Sequence, residues 1–334
     1  MNNLKKVGLT ALAGSLAAVS ANAAEMSVSG ATLLTYTSED TTETTGNPFG
    51  MKTNLSFTAS GDVNGMTVSY MQASVDQFAG MSSARLSIDM GDMGVLAFDQ
   101  GSGSGLATID DKTPTAAEEI WDGLDNASGT TNGLVGAAGN SGVWNYVQTY
   151  GGVTANIAAR KGSGTNNADG ASSGTNGSAM DIALTGSGDL FGVDGLAWGA
   201  GYGEADAGEQ ASAAGVDDSD THMTAFANYS FGMATVGYQK STINFGGNGS
   251  SAEETDAWGI AVNINDDLSI SYGEREVEYA KASATHVTEN GEGIAVAYTM
   301  GSMKIAGNRN EVTDNAGTTG SNYEMTEIAL SFSF

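Results

Sequence analysis

Five of the six acidic residues within residues 101–140 lie between positions 110 and 122. They are Asp110, Asp111, Glu118, Glu119 and Asp122. Carboxylates at this density attract cations and repel anions at short range, and salt screens the effect over longer distances. Catalysis would also need a nucleophile and a base, but the sequence has no cysteine, and its two histidines, His222 and His286, lie far apart. The chemistry indicated is attraction of cations, and no enzymatic step is predicted.

Basic residues are scarce, and several fall on the polar side of segments that alternate in polarity. Counting by twos from apolar neighbours places Lys52, Arg85, Arg160 and Lys304 on that side. Arg85 is the clearest of these, and Arg275 also falls on a polar side, near a segment end. These residues are therefore the candidate functional bases of the polar side. The alternative for each is a rim position with the charge in water.

Sixteen alternating segments surround these residues and must position them. They are predicted at 26–38, 51–61, 66–76, 82–90, 95–100, 142–150, 153–161, 178–186, 196–204, 220–231, 233–243, 254–265, 268–279, 291–300, 303–310 and 322–334. Seven connections are mostly short turns, and the eight that fall between them are mostly longer and polar. This arrangement predicts an up-and-down antiparallel sheet. Residues 101–140 interrupt the alternation after the fifth segment.

The N-terminus has the pattern of a secretory signal peptide. Lys5 and Lys6 precede an apolar run over residues 7–21, and Ala21-Asn22-Ala23 supplies a small-residue cleavage site. We therefore expect a cleavable signal over residues 1–23 and one domain over residues 24–334.

Composition narrows the class of that domain. The net charge of −27 disfavours nucleic acid as a partner, and the absence of cysteine excludes disulfides and thiolate metal sites. No apolar run after the signal is long enough for a transmembrane helix. Strands of about 9–11 residues with one apolar and one polar face, in an exported chain, fit a transmembrane β-barrel. The alternative is a secreted acidic β-protein, such as an adhesin, that buries its apolar face in water.

Two local motifs carry weaker expectations. Thr115 followed by Glu118 resembles a capping box, so a short helix is predicted after Pro114 within residues 101–140. Asp217, Asp218 and Asp220 supply oxygen ligands of the kind that calcium prefers, but a solvated acidic loop is the favoured interpretation. No cofactor is predicted.

The C-terminus carries the most specific family resemblance. Its last segment alternates Ile328, Leu330, Phe332 and Phe334, and the chain ends on Phe334. With the signal peptide and the alternating loop lengths, the chain resembles Gram-negative general porins, and looks closest to their alphaproteobacterial branch. The resemblance implies an all-β, sixteen-stranded antiparallel transmembrane β-barrel in the outer membrane. It implies that Phe332 and Phe334 form the signal read by the barrel assembly machinery. It also implies outer-membrane lipid and lipopolysaccharide as partners.

The resemblance also implies a role for residues 101–140. In these porins the loop after the fifth strand, loop 3, folds inward and narrows a water-filled channel through which small hydrophilic solutes and ions diffuse passively. We therefore expect the five carboxylates at the constriction, the four bases on the facing wall, and a preference for cations. Two features depart from the family: the PEFGG motif of enterobacterial relatives is absent, and residues 77–80 are short where many relatives contact a neighbouring subunit. A homotrimer is expected from the resemblance despite the second departure. A substrate-specific channel for a sugar or another nutrient is the alternative within the class.

Overall fold

Sixteen antiparallel strands form one closed barrel in the part of the chain that the structure describes. The computed structural model describes residues 25–39, 47–75, 82–121, 134–139, 141–162, 177–206, 219–246, 251–280 and 287–334. Each strand pairs with its neighbours in sequence, and β1 pairs with β16 to close the barrel. The predicted all-β fold, a sixteen-stranded antiparallel barrel, is confirmed.

The strand bounds follow the predicted segments closely. The strands are β1 (Glu25–Glu39), β2 (Phe49–Val63), β3 (Met66–Val75), β4 (Ser83–Asp89), β5 (Val95–Gln100), β6 (Ser141–Tyr150), β7 (Val153–Arg160), β8 (Ala179–Ser187), β9 (Leu196–Ala205), β10 (Asp220–Phe231), β11 (Ala234–Phe245), β12 (Ser251–Asn263), β13 (Leu268–Ala280), β14 (Val287–Met300), β15 (Met303–Thr313) and β16 (Tyr323–Ser333). Residues 101–140 connect β5 to β6 and are called the β5–β6 connection below.

The wall has two chemically different faces. On β14, Ile294, Val296 and Met300 are exposed, whereas Ala295 and Ala297 between them are buried. The same alternation continues around the barrel, because residues opposite each other in an antiparallel pair share a face. We call the side with the exposed large apolar residues the apolar face, and the other side the polar face.

The aromatic residues of β6 lie on the apolar face. Phe98 of β5 is opposite Trp144, and their rings meet edge to face at 5.2 Å. Ala97 and Asp99, which flank Phe98, are buried on the other face. Gln148 shares the apolar face with Trp144, and its amide donates to the carbonyl of Asp92 in the β4–β5 turn, at 2.7 Å. The alternation therefore holds through β6 although one of its members is polar.

Short turns lie at one end of the barrel. Asn64 and Gly65 join β2 to β3 with φ of 55° and 82°, and Gly151 and Gly152 join β6 to β7 with φ of 57° and 83°. Two consecutive residues with positive φ are the pattern of the type I′ hairpin turn, whose twist matches that of paired strands. Most of the longer connections, including the β5–β6 connection, leave the opposite end.

The helices among the described residues are single 3₁₀ turns, at Gly91–Met93, Gly105–Thr108, Gly188–Phe191 and Asn315–Gly317. None of the described helices has the length and apolar character needed to cross a membrane.

Candidate functional site

The first limb of the β5–β6 connection, described over residues 101–121, runs across the polar face of the wall. The second limb is described over residues 134–139 and leads to β6. Lys112 N donates to Gln239 Oε1 of β11 at 2.6 Å, and Ala116 N donates to Ser271 Oγ of β13 at 2.9 Å. Further along, Asn310 Nδ2 of β15 donates to the carbonyl of Glu119 at 3.2 Å. All three wall side chains belong to the polar face, as their register with neighbouring strands shows. The limb therefore passes β11, β13 and β15 in order.

A row of glycines provides the room for this path. Gly237, Gly259, Gly273 and Gly293 stand directly opposite one another on β11 to β14. A Cβ atom on Gly259 would lie 2.8 Å from the carbonyl oxygen of Pro114, and one on Gly293 would lie 3.0 Å from Ile120 Cβ. Glycine in a strand interior often marks a place where another backbone comes close. The glycine row thus lets the first limb lie directly against the wall.

Asp181 of β8 joins the two limbs of the connection. Its Oδ1 accepts from Leu106 N at 2.9 Å, and its Oδ2 accepts from Ala138 N at 2.8 Å. The residue is only 2% exposed. A buried carboxylate needs such hydrogen bonds, because an unpaired buried charge is costly. Asp181 therefore holds the outgoing and returning limbs together at the wall.

Apolar packing supports the same region. Leu106 and Ile109 of the first limb and Val135 of the second are almost fully buried, and they form one cluster with Ala183 and Ile243 of the wall. The cluster combines both limbs with β8 and β11, so burial of apolar surface adds to the hydrogen bonds.

Arg85 anchors the point where the connection begins. Its Nη1 lies 3.6 Å from Asp99 Oδ2 and donates to the carbonyl of Gly103 at 3.2 Å. Asp99 is fully buried and also accepts from Ser102 N at 3.0 Å and from Ser104 Oγ at 2.7 Å. The structure places Arg85 on the polar face, as the sequence predicts, but its ionic partner is Asp99 of the wall.

The other predicted basic residues also lie on the polar face but are spread around the wall. Lys52 is opposite Leu33, and Lys304 is opposite Ser331 near the end with the short turns. Arg160 is the last residue of β7, close to the second limb, since a Cβ on Gly139 would lie 3.5 Å from its Nη1. The four predicted bases therefore do not form one cluster.

The predicted acidic residues occupy different environments along the first limb. Asp111 pairs with the neighbouring Lys112 at 3.2 Å, and Glu118 is exposed. Burial, together with the adjacent Asp111 charge and a hydrogen bond to Asp111, raises the pKa of Asp110 to about 7, against the opposing effect of Lys112. Glu119 contacts the wall through its carbonyl. Asp122 lies outside the described residues.

The predicted short helix is wrong. Residues 115–121 form bends and a turn, and the nearest helical turn is Gly105–Thr108. Thr115 Oγ1 accepts from Ala117 N at 3.3 Å and donates to the carbonyl of Glu118 at 2.7 Å. The local capping hydrogen bonds are present, but Asn310 of the wall takes the Glu119 carbonyl, which a longer helix would use.

The two terminal phenylalanines lie where the barrel closes. Phe332 and Phe334 are exposed at 41% and 67%. The backbone of Phe334 exchanges two hydrogen bonds of 2.9 Å with Gly30 of β1. The last residue of the chain thus contributes directly to the pairing of β1 with β16.

Several expectations fall on residues that the structure does not describe. They are the signal peptide at 1–23, Asp217, Asp218 and His286. In the described part of the chain, no group of three or more His, Asp and Glu side chains is placed to hold a metal ion.

The fold defines a class of proteins: closed sixteen-stranded antiparallel barrels. Structures of this kind that match the chain include OmpT of Vibrio cholerae in its trimer form, with a TM-score of 0.66 and 11% identity over 93% of this chain and 100% of that one. An anion-selective porin from Comamonas acidovorans matches with a TM-score of 0.63 and 12% identity over 93% and 100%. The outer membrane channel DcaP of Acinetobacter baumannii matches with a TM-score of 0.65 and 13% identity over 93% and 98%. No protein-family model and no curated protein matches the chain by sequence. At these identities the likeness establishes a porin-like fold.

Sequence reasoning missed three features of this site. Asp181, the glycine row and the position of Arg275 in the middle of β13 all depend on contacts between residues far apart in sequence. The available signal was glycine at interior positions of four consecutive segments, each next to at least one large apolar or aromatic residue.

Proposed function

We propose that the chain is an outer-membrane porin of a Gram-negative bacterium. It forms a water-filled channel for passive diffusion of small hydrophilic solutes and ions, without a covalent step. The observation that carries this proposal is the β5–β6 connection, whose first limb packs along the polar face of a closed barrel. The matched structures whose names describe porins and an outer membrane channel support it. The alphaproteobacterial assignment rests on the sequence resemblance alone.

The distribution of charge on the apolar face supports a membrane-spanning barrel. Among the described strand residues of β1 to β10, Glu204 is the single charged residue on that face. On β11 to β16 the charged residues of that face all lie toward the end with the long connections. They are Lys240, Glu254, Asp256, Glu274, Glu276, Glu278, Glu292, Arg309, Glu311 and Glu324. An uncharged band with charged residues beyond one border fits a lipid-facing wall whose long connections face outward.

In this proposal the polar face lines the lumen, and the β5–β6 connection narrows it. A limb held by Asp181 and by the glycine row keeps its position without a helix of its own. Selectivity then follows from the size of the remaining opening and from the charges around it. Asp110, Asp111, Glu118 and Glu119 are the described acidic residues of that limb, and the fixed positive charges opposite are few.

A preference for cations is the finer part of the proposal. Arg85 and Arg275, two of the bases on the polar face, form ion pairs with the buried carboxylates Asp99 and Glu289. Paired bases attract anions weakly, because the partner cancels most of the field beyond a short distance. The matched Comamonas porin is anion-selective, so the shared fold does not set the sign of the preference.

A homotrimer is also proposed. One matched structure is described as a trimer form, and the nearly uncharged apolar face of β1 to β10 is suited to contacts with lipid or with another subunit. Light scattering of the detergent-purified protein measures the subunit number, and a monomer mass would contradict this part alone.

Planar-bilayer recording of the purified protein tests the function. We expect discrete conductance steps and, in a KCl gradient, a reversal potential of the sign that indicates cation flow. Absence of channels from a protein that is folded in the outer-membrane fraction would contradict the function. A reversal potential of the opposite sign would contradict the cation preference only.

A further inference from the structure

A buried ion pair lies on the polar face close to the described end of the first limb. Arg275 Nη2 of β13 donates to Glu289 Oε1 of β14 at 2.7 Å, and each side chain is only 4% exposed. A buried pair of this kind is costly to desolvate, and its other donor and acceptor sites need partners. The identity of those partners shows what the pair holds in place.

One partner belongs to the β5–β6 connection. The guanidinium carbon of Arg275 lies 4.8 Å from the centre of the Trp121 ring. A guanidinium over an indole face at this distance makes a cation–π contact, which is stronger when the charge is shielded from water. Trp121 follows Ile120, which packs on the glycine row. The contact thus fixes the last described residue of the first limb.

The other partner belongs to the connection between β15 and β16, residues 314–322. Glu289 Oε2 accepts from Ala316 N at 2.8 Å and from Tyr279 Oη at 3.1 Å. A Cβ on Gly317 would lie 3.0 Å from the Tyr279 ring, and Asn315 is buried. This second connection therefore also packs on the polar face, and the carboxylate of Glu289 holds its 3₁₀ turn.

We propose that the Arg275–Glu289 pair is a shared anchor that positions both connections together. The inference rests on the proposed function, because it makes the β15–β16 connection a second element that narrows the same lumen. Each member of the pair reaches a different connection, through Trp121 on one side and Ala316 on the other. The Trp121 ring covers the guanidinium of Arg275. Its removal would therefore let water reach the ion pair and loosen the hold of Glu289 on residues 314–322.

Distance measurements between spin labels test the anchor directly. The chain has no cysteine, so Thr319→Cys in the β15–β16 connection and Ser302→Cys in the β14–β15 turn give one labelled pair at two exposed sites. We expect a narrow distance peak in the parent, loss of that peak in Arg275→Met and Trp121→Leu, and its retention in Trp121→Phe, which keeps an aromatic face. Arg309→Met is the matched control, because Arg309 is a half-exposed arginine of the apolar face paired with Glu311 and Glu324.

The outcomes separate this inference from the proposed function. An unchanged peak in both Trp121→Leu and Arg275→Met would overturn the shared anchor, whether or not the protein conducts. If Arg275→Met fails to fold, Trp121→Leu alone decides, since it keeps both charges of the pair and removes only the ring that covers Arg275. Bilayer recordings on the same samples test the function separately. Absence of channels in the folded parent would contradict the proposed channel, whereas the distance measurements would still test the shared anchor.

Discussion

Replacing Gly259 by alanine adds one methyl group between the wall and the β5–β6 connection. The new Cβ would lie 2.8 Å from the Pro114 carbonyl oxygen, whereas ordinary van der Waals contact begins at 3.4 Å. The limb must therefore move off the wall by about 0.6 Å at this point. Because strand β12 is fixed by pairing on both sides, the connection moves and the strand does not. We expect the channel to narrow and single-channel conductance to fall.

The energetic cost of this change sets a second expectation. Overpacking by one methyl group typically costs about 1–3 kcal/mol when neighbours cannot relax. A limb held mainly by hydrogen bonds can relax, so we expect a cost near the lower limit and a small decrease in the temperature at which the barrel loses its heat-resistant gel mobility.

Gly61→Ala is the matched control for this experiment. Gly61 lies inside strand β2, and a Cβ there would meet no atom within 4 Å. We expect its conductance to equal that of the parent. A folded Gly259→Ala barrel with parental conductance would refute the reasoning, because a connection lying outside the lumen could shift without any effect on ion flow.

Three further predictions concern the charges that hold or line the connection. In Asp181→Asn the new side chain can accept from only one of the two backbone N–H groups, and a lost hydrogen bond to a charged group costs about 1.5–3 kcal/mol. The connection should then be held less firmly, so noise in the open-channel current should rise. Asp194→Asn, at an exposed position, is the control and should leave the noise unchanged. Arg85→Gln leaves Asp99 buried without its ionic partner, so the free energy of unfolding should fall by about 3–5 kcal/mol. An unchanged melting temperature would contradict the anchoring role of Arg85. The Asp110 carboxyl, with its pKa raised to about 7, gains negative charge as the pH rises through 7. The cation preference measured from reversal potentials should therefore increase from pH 6 to pH 8. If Asp110→Asn showed the same increase, a group other than Asp110 would be responsible.

The strands were predictable because successive side chains of a strand point to opposite faces, and the two faces of this wall differ in polarity. Strands β5 and β10 have the predicted bounds, 95–100 and 220–231. Strand β14 begins at Val287, four residues before the predicted start at 291. Its first six residues carry Glu289 on one face and Thr288, Asn290 and Glu292 on the other, so both faces are polar there. Alternation disappears where a strand extends beyond the apolar band, and its end then cannot be located from the sequence.

The site was predictable in position but not in its contacts. Counting strands places the β5–β6 connection after the fifth strand, and the alternation places Arg85 on the polar face. The partners could not be read in the same way, because Leu106 and Asp181, or Trp121 and Arg275, come together only when the barrel closes. The failed helix prediction has the same cause, since the wall supplies backbone partners that the local sequence does not show.

The most direct test of the channel proposal is deletion of residues 106–135 from the β5–β6 connection. The deletion leaves all sixteen strands and the Arg85–Asp99 pair in place, so we expect a folded barrel that remains heat-resistant on gels. Its single-channel conductance should rise, and larger polymers should enter the channel. A folded deletion variant with the parental conductance and the parental polymer cut-off would contradict the proposal that this connection narrows the lumen.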